Sequence, residues 1–336
     1  CLMHNYDDNQ DMIKAGLLGD GVVRELEHQF GDLLHNRYRC LSVTNATCGL
    51  AAVLRCLRPG NVIVPLFTSP ATWAAVGHAG HEIVFCDIDP VSVCLSPQAV
   101  SRYIDKSRPQ ARQAVRAIVA VNIFGHLSDL MSLSQIAQEL EAFLIVDAAQ
   151  SLATCLSNVD ELSLADVAIF SLGPNKWLAC ADGGMIAVKK FDLWTALIRS
   201  TQPVQRQLLD IPHKPVNPVH YNSRINPYTA KQALAALQDI RQRCTRCQEE
   251  QSAIVAELMD CGLIEPLPDN AHLAFEPLTA IPVKRLDGYY LDELPVPIYT
   301  HLTDTVDLPE TIRQFCHRKV IRQKPSAQPS LRRSEQ

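Results

Sequence analysis

The chain has 336 residues and a formal net charge of −5, with acidic and basic side chains interspersed. That length suits a large α/β domain plus a smaller one, and the mild acidity offers nothing to nucleic acid or an anionic membrane. No apolar run approaches the roughly eighteen residues of a membrane span, and the opening CLMHNYDDNQ lacks a secretory pattern, so a cytoplasmic protein is expected.

From residue 39 to 190, strand-like apolar runs alternate with helical periods. RCLSV precedes a helix with Leu50, Val53, Leu54 and Leu57 on one face; NVIVP precedes ATWAAVGHAG; EIVFCDID precedes PQAVSRYID. AIVAVNIFG is followed by LMSLSQIAQELE, then by FLIVD and DVAIFSL. The later runs are continuously apolar, as strands covered on both faces are, and the alternation predicts an α/β fold: a large three-layer domain with a mostly parallel central sheet. A longer helix is predicted from Pro227 to Met259, with Leu234, Leu237 and Ile240 on one face. The proline-broken pieces that follow predict a smaller C-terminal α+β domain. The expected boundaries are 1–240, 241–322 and a disordered tail over 323–336.

Twelve cysteines are scattered, many in apolar contexts such as Cys56, Cys86 and Cys94, and read as free buried thiols of a reducing compartment. The C-x-x-C of Cys244 and Cys247 has no second Cys or His pair at a zinc-like spacing, so no metal is expected.

Three short stretches could carry chemistry. In IFSLGPNKWLACADGG, Lys176 stands in a bend between two apolar strands. It is either a solvated charge or an amine whose pKa falls in an apolar cleft, able to attack a carbonyl. Gly183 and Gly184 fit a tight return where backbone passes close to something. In FLIVDAAQSLA, Asp147 ends a buried strand. It either caps the next helix or holds a cationic ring nitrogen, as pyridoxal phosphate requires. In VTNATCGLAAVLRCL, Thr47 sits at a helix start, either as part of a cap or beside free amides that would bind phosphate.

Taken together, these stretches resemble the DegT-type sugar aminotransferases, which share the aspartate aminotransferase fold. AGLLGDGVVRELEHQFGDLLHNRYRCLSV resembles the family's opening "SG-w-x-x-G-x-x-v-x-x-fE-x-x-F". NVIVPLFTSPATWAAVGHAGHEIVFCDIDP, NIFGHLSDL, IVDAAQS, FSLGPNKWLACADGG and HYNSRINPYTAKQALAAL are similar to its later motifs, in the family's order, between residues 12 and 245.

The resemblance implies pyridoxal 5′-phosphate as cofactor, with Lys176 forming the Schiff base and then moving the proton between substrate carbon and cofactor. Asp147 would pair with the pyridine nitrogen and Gln150 would lie near the phenolic oxygen. Ser171, Thr47 and the Ala46 amide would bind the phosphate. Asn222 would reach the phosphate of the other subunit in a homodimer with shared active sites, and Arg224 would brace that loop. The implied reaction moves an amino group from glutamate or glutamine to the ketone of a nucleotide-linked deoxysugar or related cyclic ketone. Elimination or sulfur transfer, or an inactive subunit that supports a paralogue, are the alternatives; Lys176 argues against a dehydratase.

Several positions depart from the family. Its Ser-Gly-Thr is Asn45-Ala46-Thr47 here, Asp182 replaces a glutamate and Asn122 a common histidine. The aromatic expected to stack on the cofactor ring falls at Ser69, with Phe67 and Trp73 as possible substitutes. VPIYTHLTDTV offers His301 as a weak substrate-contact candidate, and residues 199–220 are the expected substrate wall.

Overall fold

Seven strands form one sheet in the order β1-β7-β6-β5-β4-β2-β3, and only β7 runs antiparallel to its neighbours. The computed structural model describes residues 2–89, 92–246 and 249, with the two-residue pieces 280–281 and 296–297. In chain order the elements are α1 (Leu2–Leu18), α2 (Val22–Leu33), β1 (Arg39–Val43), α3 (Ala46–Arg55), β2 (Asn61–Pro65), α4 (Pro70–His78) and β3 (Glu82–Cys86). There follow α5 (Pro97–Lys106), α6 (Pro109–Gln113), β4 (Val115–Val121), α7 (Leu130–Glu139), β5 (Phe143–Asp147), α8 (Leu152–Ser157) and α9 (Val159–Leu162). Last come β6 (Val167–Ser171), β7 (Gly184–Val188), α10 (Phe191–Thr201), α11 (Val204–Asp210), α12 (Pro227–Leu237) and the pair β8 (Ala280–Ile281) and β9 (Val296–Pro297).

Alternate residues of each central strand enter opposite cores, as a period of two requires. Ile118, Ala120, Leu144, Val146, Ala168 and Phe170 join the side chains of α2, α7 and α12 on one face. Ala117, Val119, Ile145, Val167 and Ile169 join those of α3 and α10 on the other. Both faces are therefore covered, which is why these strands read as unbroken apolar runs. The expected three-layer, mostly parallel architecture is what the chain forms.

The helix expected from Pro227 to Met259 is interrupted. α12 stops at Leu237, two turn residues follow, and helix resumes over 240–246. Near the break, the Ala236 carbonyl takes a side-chain hydrogen bond from Arg243 Nη1 at 3.4 Å. The small C-terminal domain and the tail fall largely outside the described residues, as do His301 and Cys247. Among the described residues no helix is long and apolar enough to cross a membrane. None of the eight described cysteines forms a disulfide, and burial pushes the Cys86 and Cys94 thiols up to about 11.

Candidate active site

The carboxyl ends of β1, β2, β4, β5 and β6 share one edge of the sheet, where parallel α/β sheets gather reactive groups. At its centre, β5 ends on Asp147, paired with Val121 of β4 and Ile169 of β6. Asp147 does not cap α8, whose N-cap is Ser151. Its Oδ2 accepts a hydrogen bond from Thr72 Oγ1 at 2.9 Å and its Oδ1 accepts from the Ala149 amide at 3.2 Å. Desolvation holds this carboxyl above the usual aspartate range; the Thr72 and Ala149 hydrogen bonds and the Lys176 charge pull the other way.

Lys176 lies in the turn after β6, half-buried, followed by the buried Trp177 and Leu178. The turn is closed by the Lys176 amide on the Gly173 carbonyl (3.0 Å) and the Ala179 amide on the Lys176 carbonyl (3.0 Å), with Ala179 at φ 48°. Arg243 donates to the Trp177 carbonyl from the helix beyond α12. The charge is thus held in a sheltered bend within electrostatic reach of Asp147, and is not a freely solvated surface lysine.

The chain returns through Gly183, at φ 119°, into Gly184. Gly184 pairs with Ser171 of β6 on one side and Val43 of β1 on the other. A Cβ at Gly184 would lie 2.6 Å from the Ala46 nitrogen and 2.5 Å from the Asn45 carbonyl carbon, so this return passes against the start of α3 and admits no side chain. Ser171, Ala46 and Thr47 are thereby gathered around one backbone crossing. Asn45 is the N-cap of α3, its side chain accepting from the Cys48 amide at 2.9 Å. Capping therefore falls to Asn45 and not to Thr47.

Gln150 faces the loop after β4: its Oε1 accepts from the Phe124 amide at 2.7 Å, where Phe124 sits at φ 55°. Asn122, in place of the family histidine, is fully buried; its amide bonds the Asp147 carbonyl at 3.1 Å and its Oδ1 accepts from the Ser128 amide at 3.0 Å. Ser69 caps α4, accepting from the Ala71 amide at 3.3 Å. Phe67 packs against Phe124 with ring centroids 6.1 Å apart, and Trp73 is 41% exposed. Asp182 accepts from the Gly183 amide at 2.8 Å. The loop carrying Asn222 (exposed, φ 50°) runs beside the end of β1, where the Thr44 amide bonds the Ser223 carbonyl at 2.9 Å and Arg224 donates to Asn222 Oδ1.

Thr68, Thr72, Phe124 and Arg243 escaped the sequence reading. A four-residue spacing of hydroxyls around a Ser-Pro helix start was the one signal for the first two. Cavities of about 290 and 1020 Å³ lie at the opposite edge of the sheet, around Phe143, Asp166 and Arg116, and none of the predicted site residues lines them.

The sequence model of the DegT/DnrJ/EryC1/StrS aminotransferase family matches residues 7–284. The chain belongs to that family. It is 34% identical over 179 residues to UDP-2-acetamido-2-deoxy-3-oxo-D-glucuronate aminotransferase of Pseudomonas aeruginosa, covering 52% of this chain and 48% of the relative. The chain spans about half the length of the curated relatives it matches. Among solved structures, a family aminotransferase from Brucella abortus superposes with a TM-score of 0.64 at 24% identity, over 80% of this chain and 74% of that one. NtdA from Bacillus subtilis, crystallised with bound cofactor PMP, superposes with a TM-score of 0.63 at 17% identity, over 93% and 82%. At these identities the two superpositions speak to the fold, and the site is read from this chain's own residues.

Proposed function

We propose that this DegT-family chain binds pyridoxal 5′-phosphate and is an aminotransferase. It would transfer an amino group from glutamate or glutamine to the ketone of a nucleotide-linked deoxysugar or related cyclic ketone. The observation that carries the proposal is the placement of Lys176, the desolvated Asp147 and the Gly184–Ala46 cradle at one sheet edge. The residues fit the cofactor. A phosphate needs donors and close backbone approach, which Ala46, Thr47 and Ser171 around Gly184 offer. A pyridine nitrogen needs a charge partner held out of water, which Asp147 offers.

When bound, the cofactor supplies an electron sink for a carbanion. The remaining work falls to the chain. Lys176 Nζ would move a proton between the substrate carbon and the cofactor, off the donor's carbon in one half-reaction and onto the acceptor's carbon in the other. Asp147 holds the proton on the ring nitrogen. Ser171 Oγ, Thr47 Oγ1 and the Ala46 amide anchor the phosphate, while Gln150 stands by the phenolic oxygen. The Phe67–Phe124 pair supplies an aromatic wall in place of the family aromatic replaced by Ser69. Asn222, with Arg224 bracing its loop, reaches the phosphate of a second copy, so that the working form is a homodimer.

The nucleotide-sugar assignment draws support from the UDP-sugar aminotransferase likeness. The test is a half-reaction: protein loaded with pyridoxal phosphate should change absorbance on adding glutamate or glutamine and recover on adding a keto sugar. Absence of change with any amino donor would count against transamination. Ser69, spent as a helix cap, favours a second reading, a subunit that holds the cofactor without turnover; cellular function surviving Lys176→Ala would support it.

A further inference from the structure

We propose that Thr72, backed by Thr68, is a positioning pair that keeps Asp147 ionised and aimed at the ring nitrogen of the bound cofactor. The inference rests on the pyridoxal phosphate reading and assigns a role to two residues outside the implied set. Thr72 is 1% exposed and stands in the first turn of α4, a helix started by the Ser69 cap and by Pro70. Its Oγ1 donates to Asp147 Oδ2 at 2.9 Å, and Thr68 Oγ1 donates to Thr72 Oγ1 at 3.1 Å.

Each hydroxyl has one proton. Thr68 places its own on the Thr72 oxygen, which leaves the Thr72 proton directed at the carboxylate. The Ala149 amide, which can only donate, faces the other carboxylate oxygen. Among the described residues, the groups acting on Asp147 are Thr72 from α4, the Ala149 amide from the turn after β5, and Lys176 from the turn after β6. Burial works against all three by favouring the neutral acid. A neutral acid has no charge with which to hold a ring cation. Hydrogen bonds to the ionised form are what a buried carboxylate needs to remain charged, and the hydroxyl pair supplies one with a fixed direction.

The test is carboxyl titration of Asp147 by NMR in the cofactor-free protein, with carbon-13-labelled aspartate and Asp147→Asn to identify the resonance. Thr72→Val should move the midpoint to higher pH, Thr72→Ser should restore it, and Thr68→Ala should move it in the same direction by less. Pyridoxal phosphate affinity, followed by absorbance, should fall about tenfold in Thr72→Val at mildly acidic pH and recover at alkaline pH, as loss of a charge-assisted hydrogen bond predicts. A purely structural role would lower affinity equally at every pH. A folded Thr72→Val with the wild-type midpoint overturns the proposal. If that variant does not fold, a wild-type midpoint in Thr68→Ala overturns it. Should the midpoints shift while wild-type protein takes up no pyridoxal phosphate, the cofactor reading fails and the effect of the hydroxyls on Asp147 stands.

Discussion

Gly184 and Ala46 touch backbone to backbone: a Cβ on Gly184 would come within 2.6 Å of the Ala46 nitrogen. The return strand after the lysine turn and the start of α3 thus pack as one structural unit, and a single added methyl would force them apart. Gly184→Ala is predicted to cost about 1–3 kcal/mol by overpacking and to weaken pyridoxal phosphate binding more than it lowers Tm. Calorimetry alongside a cofactor titration checks this. Equal affinity in a folded Gly184→Ala would detach this crossing from phosphate binding.

Asp147 sits where its charge is disfavoured, so the pH response has a definite sign. Because the folded carboxyl titrates above the unfolded one, the folded state holds more protons in the window between the ordinary aspartate pKa and the raised value. In that window the contribution of Asp147 to stability falls as pH rises. Asp147→Asn should therefore raise the Tm of cofactor-free protein at neutral pH, with the gain vanishing on acidification, while abolishing the amino-donor response. Thermal melts across pH read the first effect. A lower Tm for Asp147→Asn at every pH would show that the Thr72 and Lys176 interactions outweigh burial.

Much of this arrangement was legible in the residue string. FLIVD ends at Asp147 in the fold as in the sequence, because a strand buried on both faces shows as an unbroken apolar run that stops at its first charge. Gly183 and Gly184 announced a close backbone approach, and the fold supplies its object in Asn45 and Ala46. The Thr72–Asp147 bond joins residues 75 apart, and the Glu27–Arg206 pair joins residues 179 apart. Nothing local says that these residues meet each other, because their meeting depends on strand order. The same holds for Ser69: its role as cap depends on where α4 begins, which only the Ser-Pro step hints at. The helix expected over Pro227–Met259 is interrupted by turn residues at 238–239 while apolar spacing continues through the buried Ile240, so periodicity alone does not report the interruption.

Helix α2 is tied to α11 by Arg206, which is 1% exposed and bonded to Glu27 Oε2 at 2.5 Å and Asp210 Oδ2 at 3.0 Å. Glu27 in turn accepts from the Ser42 amide and hydroxyl of β1 at 2.9 and 2.7 Å. Glu27→Ala would leave a buried guanidinium short of one counter-charge, a loss of about 3–5 kcal/mol. Denaturant unfolding should report that loss. The double change Glu27→Ala with Arg206→Met should cost less than Glu27→Ala alone.

Phe67 is 40% exposed yet packs at a tilt against Phe124 at the edge where the cofactor ring would lie. Phe67→Ala should weaken pyridoxal phosphate binding by about 1 kcal/mol, roughly fivefold, with little change in Tm. Trp73→Ala serves as the comparison and should leave affinity near wild type. The reverse ranking in a cofactor titration would make Trp73 the aromatic wall.

In the proposed reaction Lys176 is the amine that bonds the cofactor aldehyde. Borohydride reduction of protein incubated with pyridoxal phosphate, followed by peptide mass spectrometry, tests it most directly. The expected result is one phosphopyridoxyl group on the peptide carrying Lys176, lost in Lys176→Ala. A protein left unlabelled, or labelled at another lysine with Lys176 intact, would contradict it.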